Sequence, residues 1–198
     1  FESGFWININ MNLIYKNAIY CLEGEIKPRK PSTSSFKNWF GYSRIPLVYH
    51  ATSQNFTIFD IDRSDLGAHF GTKEQAEYVL KHRLGGNGKV MPFWINLHNP
   101  LKLKDEGSFN ASAIAGQLLR MKLISKELFK EIAIAGYKGD KKYNKIVRDI
   151  LIKAGYDGAY YKNTNEGDAN SYIVFDAKNI KSADSNSGEY SDSPDFTQ

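Results

Sequence analysis

His50 closes an apolar run, Ile45 to Tyr49, and is followed by Ala51 and Thr52. An imidazole at the end of a strand is placed to hydrogen-bond ligand hydroxyls. A second, ring-rich stretch, Gly67-Ala68-His69-Phe70-Gly71, reads as a turn leading into a helix that carries Tyr78. A third, Ser171-Tyr172-Ile173-Val174-Phe175-Asp176, reads as a strand entered from a polar loop that holds Glu166 and Asp168. Singly, each has an ordinary explanation: a histidine hydrogen-bonded in place, a core tyrosine, solvated loop acids. The sequence has no nucleophile elbow, no phosphate loop and no Cys/His spacing of a metal site, which removes the commonest enzyme classes.

The elements that must position these residues follow from periodicity and capping. Thr72-Lys73-Glu74-Gln75 is a capping box that opens a helix running to about Leu84, stopped by Gly85-Gly86. Phe36 to Gly41 reads as a short helix. Val90 to Leu97 is an apolar strand whose Pro92 predicts a sheet edge or a bulge. Phe109 to Met121 and Ser125 to Ala135 read as helices. So does Lys141 to Ala154, where Tyr143, Ile146, Val147, Ile150, Leu151 and Ala154 fall on one face before Gly155. Strands at Asp157 to Lys162 and Ser171 to Asp176 follow, separated by the loop Asn163 to Asn170. Strands at both ends with helices gathered between them predict an α+β fold.

At 198 residues and 41% hydrophobic, the chain is long enough for one core and too short for two. An apolar segment, 1–26, precedes a Pro/Ser/Lys linker at 27–35, a body at 36–183 and an acidic, Ser/Asp-rich tail at 184–198 that is expected to be unfolded. The net charge of +4 is spread rather than gathered into an arginine-rich stripe, which makes nucleic acid a weak candidate partner. One cysteine, Cys21, excludes an internal disulfide framework. No apolar run approaches a membrane span, and Phe1 to Asn10 lacks the basic start of a secretory signal, so a cytoplasmic protein is expected. The chain opens on Phe1 rather than Met, as a fragment would.

Together the three chemistry-bearing stretches resemble the ADP-ribosyltransferase superfamily. Its pattern is a strand ending in His-Gly-Thr or His-Gly-Ser, a Gly-x-Tyr-Phe turn before a helix with a second Tyr, and a late Glu-Tyr-Ile-Val-Tyr-Asp strand. Here these read His50-Ala51-Thr52, Gly67-Ala68-His69-Phe70 with Tyr78, and Ser171-Tyr172-Ile173-Val174-Phe175-Asp176. A narrower resemblance is to the ADP-ribosyltransferase domains of phage polyvalent proteins, a compact kind also found in some bacterial effectors. Phe36-Lys37-Asn38-Trp39-Phe40-Gly41, Asn96-Leu97-His98-Asn99-Pro100-Leu101, Gly155-Tyr156-Asp157-Gly158 and Phe175 to Ala183 carry it, over about Phe36 to Asp195.

The resemblance implies two packed antiparallel sheets around a cleft for NAD⁺, which serves as substrate, with helices at the periphery. Breaking the nicotinamide–ribose bond passes through an oxocarbenium-like state, and the leaving group is already cationic, so no acid need protonate it. The resemblance assigns His50 to ribose hydroxyls, Ala51 and Thr52 to the nicotinamide amide and adjacent ribose, His69 and Tyr78 to rings against the nicotinamide, and Gly67 and Phe70 to the same cofactor-binding site. Three departures stand out. Ala51 replaces glycine, His69 replaces tyrosine, and Ser171 stands where many relatives have the catalytic glutamate. Glu166 or Asp168 in the preceding loop would then supply the carboxylate beside Ser171. Three activities fit: mono-ADP-ribosyl transfer to a protein or other macromolecular acceptor, NAD⁺ hydrolysis, or a degenerate NAD⁺- or partner-binding module.

Overall fold

The computed structural model describes residues 28–139 and 141–198. The apolar segment at 1–26, with Cys21, lies outside them. Helix α1 (Ser34–Phe40) begins within the expected linker, because the Thr33 hydroxyl accepts from the Phe36 amide at 3.2 Å. It is followed by β1 (Val48–Thr52), β2 (Ala68–Phe70), α2 (Lys73–His82), β3 (Lys89–Ile95) and β4 (Pro100–Lys102). Three helices come next, α3 (Ala111–Arg120), α4 (Lys126–Tyr137) and α5 (Lys142–Lys153). The chain closes with β5 (Gly158–Asn163), β6 (Ala169–Val174), a 3₁₀ turn (Ala177–Asn179) and β7 (Ile180–Ser182).

The strands form two sheets, a three-stranded one in the order β1-β3-β7 and a four-stranded one in the order β2-β6-β5-β4. All pairs are antiparallel except β4–β5. A parallel pair needs a long crossover, and α3, α4 and α5 fill it. The fold is therefore α+β, as strands at both ends with helices gathered between them predict. Side-chain direction along β6 shows how the layers stack. Tyr172 and Val174 join Val48, Phe70, Phe93 and Ile95 between the sheets. Ile173 faces the other way, into a core with Ile114, Leu118, Val147 and Leu151 of the helices.

Several expectations are corrected. The strand carrying His50 lies later than its apolar run suggests, so His50 sits mid-strand, opposite Met91. The turn at Gly67 to Gly71 contains a strand, β2, paired with β6. Pro92 lies in a central strand rather than at an edge. It is tolerated because β7 pairs β3 only from Phe93 to Ile95, and the Pro92 carbonyl accepts from Ala183 just beyond the ladder. On α5 the buried face is Tyr143, Asn144, Val147, Arg148 and Leu151, and Ile146 is 41% exposed. The face is turned because its polar members are bonded: Arg148 pairs with Asp62 and donates to the Ile61 carbonyl, and Asn144 accepts from the Ala111 amide.

The largest correction is the tail. Residues 184–198 are folded onto the body. Lys181 is fully buried and donates to the Ser193 and Asp195 carbonyls at 2.6 and 3.2 Å. Phe196 is buried against Phe56, Phe59 and Phe93, and its amide donates to the Thr57 carbonyl. Burying one such ring contributes about 2–3 kcal/mol, and the bonds to Lys181 and Thr57 add to it in holding the segment.

Candidate active site

The cleft starts at a seam between the sheets. Tyr49 and Gly71 exchange both backbone hydrogen bonds, at 2.8 and 3.0 Å, and so join β1 to the end of β2. The next residue on β1, His50, repeats the tie with its side chain: Nδ1 lies 2.8 Å from the His69 carbonyl. A carbonyl only accepts, so Nδ1 carries the proton and Nε2 is the acceptor nitrogen. Burial lowers the pKa of His50, although the bond to His69 opposes it. His50 is therefore a neutral ring with a fixed tautomer. Phe59 braces it edge-on at 5.1 Å and Phe70 at 5.6 Å.

Two adjoining compartments open here, of about 140 and 380 Å³. Both are lined by His50, His69, Arg83, Tyr161 and Glu166. Burial pushes the pKa of His69 down to about 4, with the nearby His50 and Arg83 adding to it, so this ring is neutral at physiological pH. Tyr161, raised to about 12 chiefly by burial, is a neutral phenol, with its ring 4.0 Å from that of Phe109.

A polar network floors the cleft. The capping box of α2 forms as the sequence predicts, with the Gln75 amide on Thr72 Oγ1 and the Thr72 amide on Gln75 Oε1. The same Oε1 accepts from the buried Ser171 hydroxyl at 3.3 Å, and Gln75 Nε2 donates to the Ala169 carbonyl at 3.3 Å. Gly71 leaves room for this amide, because a Cβ there would overlap Gln75 Oε1. Asn163, 3% exposed at the end of β5, then bridges strand and loop. Its Nδ2 donates to Ser171 Oγ at 3.2 Å and to Glu166 Oε2 at 2.8 Å. Its Oδ1 takes the amides of Asn165 and Glu166, folding the loop back over β6. The other Glu166 oxygen pairs with Arg83.

The structure therefore brings together His50, Ala51, His69, Phe70, Glu166 and Ser171 around one cleft. Ala51 keeps a negative φ, so its methyl does not disturb the strand. Four expected residues fall elsewhere. Tyr78 is 41% exposed and stacks on His82 at 4.3 Å, because α2 turns Gln75, Val79 and Arg83 to the cleft instead. Thr52 Oγ1 accepts from the Gln54 amide and lines neither compartment. Gly67 serves packing, since a Cβ there would overlap the Val174 carbonyl. Asp168 points outward in an ion pair with Lys162 at 3.2 Å. Sequence reasoning missed Gln75, Arg83, Tyr161 and Asn163 as cleft residues. Only Gln75 carried a local signal, and that signal concerned its cap.

The motifs that carry the narrower resemblance turn out to hold the frame. Asp157 accepts from the His98 and Asn99 amides, and Asn99 Nδ2 donates to the Gly155 carbonyl, so Asn96-Leu97-His98-Asn99-Pro100-Leu101 docks on Gly155-Tyr156-Asp157-Gly158. Two mostly antiparallel sheets, with a strand-borne histidine and a loop-borne carboxylate facing one cleft between their elements, define an ADP-ribosyltransferase-like domain. A family model described as ADP-Ribosyltransferase in polyvalent proteins matches residues 44–190, and the chain belongs to that family. No curated protein and no solved structure matches it. Among the described residues no cluster of His, Cys, Asp and Glu is arranged to hold a metal ion. No helix among them is long and apolar enough to cross a membrane.

Proposed function

We propose that this domain transfers a single ADP-ribose from NAD⁺ to a macromolecular acceptor, most simply a protein, with Glu166 doing the work of the glutamate that Ser171 replaces. The observation that carries this reading is the shared donor. One buried amide, Asn163 Nδ2, binds both Ser171 Oγ and Glu166 Oε2, so the loop carboxylate stands beside the strand position. Ser171 itself is 3% exposed, with its hydroxyl committed to Gln75.

In this reading His50 Nε2 accepts from a ribose hydroxyl, while His69 supplies uncharged ring surface for the nicotinamide and Phe70 braces His50 from the core. The bond from C1′ of the ribose to the ring nitrogen breaks, and its electron pair leaves with neutral nicotinamide. The positive charge on the ribose is met by Glu166, in a cleft where a fixed carboxylate acts without reorganising. The acceptor's nucleophilic atom then bonds to C1′ and releases its proton to solvent. A hydroxyl at position 171 gives no ionised acceptor at the strand itself, which favours single transfer over chain growth.

The test is incubation of the chain and candidate acceptor proteins with labelled NAD⁺, beside His50→Ala. Label on protein, lost in His50→Ala, is the expected result. Free ADP-ribose alone would make the domain a glycohydrolase, and no conversion despite binding would make it an NAD⁺-binding module.

A further inference from the structure

Glu166 meets two partners that are held very differently. Asn163 is buried and fixed at both ends of its amide. Arg83 sits at the C-terminal cap of α2, anchored through its backbone amide to the Val79 carbonyl at 2.9 Å. Its side chain is 63% exposed, against 10% for that of Glu166. Moving Arg83 away costs only a largely solvated contact, whereas moving Glu166 would strand a carboxylate and unmake the loop. Arg83 is thus the movable half of the pair.

Two more features bear on what would move it. In the empty cleft both Glu166 oxygens are engaged, one by Asn163 and one by Arg83, so the carboxylate faces the guanidinium rather than a cation forming nearby. Arg83 is also the one Lys or Arg side chain that lines either compartment, and the larger one is walled by Asp65 and Asp105 as well as Glu166. With His50 and His69 neutral, an anionic group entering the cleft meets a single cationic side chain among the lining residues, Arg83, and it is already engaged by Glu166.

We propose that Arg83 is a substrate-operated latch on Glu166: its guanidinium holds the carboxylate while the cleft is empty and leaves it for the diphosphate of the bound dinucleotide. The proposal rests on the reading that NAD⁺ occupies this cleft. Asn163 then keeps Glu166 in place as Arg83 departs, so the carboxylate's charge is freed as substrate arrives. Arg83 acts here as a positioning residue, coupling occupation of the cleft to the charge on the acid.

The test needs no turnover. Inorganic pyrophosphate is titrated calorimetrically into the full chain, Arg83→Gln, Glu166→Gln and the double variant, with melting curves confirming that each is folded. Removing the carboxylate frees Arg83, so Glu166→Gln should bind pyrophosphate about five- to tenfold tighter than the parent. Arg83→Gln should bind at least about tenfold more weakly, with Arg83→Lys in between. The gain from Glu166→Gln should vanish in the Arg83→Gln background, because it acts through the guanidinium. A gain that persists there reflects simple relief of repulsion and overturns the latch, as does pyrophosphate affinity insensitive to either residue. If Glu166→Gln does not fold, Glu166→Asp shortens the same reach and should give a smaller gain. A chain that follows this pattern yet neither labels protein nor consumes NAD⁺ keeps the latch and loses the transferase. A chain that labels protein while its pyrophosphate affinity ignores Glu166 does the reverse.

Discussion

The two walls of the cleft are built by different physics. The His50 wall is sheet and aromatic ring: β1 and β2 are stitched at Tyr49 and Gly71, and His50 leans on Phe59 and Phe70, which pack on Phe93. The Glu166 wall is a loop held by amides and one ion pair, with Asn163 as its hub. Apolar packing sets the first, and large movement there costs core contacts. Hydrogen bonds set the second, and its exposed ion pair is the contact that can be exchanged for bonds to a ligand. Binding surface lies on the rigid wall, and the charge that the proposed chemistry uses lies on the adjustable one.

The contrast is broken most severely by Phe59→Ala. That ring touches His50, Phe56, Phe70, Phe93 and Phe196, so truncation should cost about 3–5 kcal/mol of stability in chemical denaturation. NAD⁺ affinity should fall with it, and an unchanged denaturation midpoint would show that the wall does not depend on the ring. Glu166→Gln attacks the other wall. Transfer should slow about a hundredfold, the loss of roughly 3 kcal/mol of electrostatic stabilisation, while the melting temperature stays near the parent's. A parental rate in this variant would remove Glu166 from the chemistry.

A smaller effect is expected from acid. His50 and His69 both have lowered pKa values in the folded chain, His69 about 4 against 6.5 for an ordinary histidine. The unfolded chain therefore takes up these protons first. The stability they protect is complete above about pH 6.5 and is lost as the pH falls towards 4. Melting curves across this window should show a steeper decline for the parent than for His69→Tyr. Equal slopes would mean that His69 does not contribute. The smallest effect belongs to Asp168→Asn, which removes only an exposed ion pair with Lys162 and should leave transfer within about twofold of parent.

How much of this could be read in the sequence depended on the range of the interactions. The capping box at Thr72 and Gln75 and the helix ending before Gly155 are written within a few residues, and both form where expected. The convergence of His50, His69 and Ser171 was legible through the order of motifs, whereas the loop acid was legible only as a choice between Glu166 and Asp168. Asn163 and Arg83 were not, because a polar residue at a strand end and an arginine after a helix look like ordinary surface until the fold brings them to Glu166. Tyr78 misled for the opposite reason: the motif named a tyrosine on the helix, but the direction in which α2 faces the cleft is set by Gln75 and Val79. The tail misled by composition. Its serines and aspartates hid Tyr190 and Phe196, and the lysine that grips it, Lys181, lies outside it on β7.

The bond from His50 Nδ1 to the His69 carbonyl spans the two sheets at the point where they meet. It makes the imidazole a built-in strain gauge. Any shear of one sheet across the other lengthens this contact before it disturbs the cores, and the ring is then free to exchange tautomers. Nitrogen chemical shifts separate the two tautomers, so a single labelled side chain reports on the junction of the two sheets. Titrating NAD⁺ while watching that one resonance would measure how far the sheets move when the cleft fills.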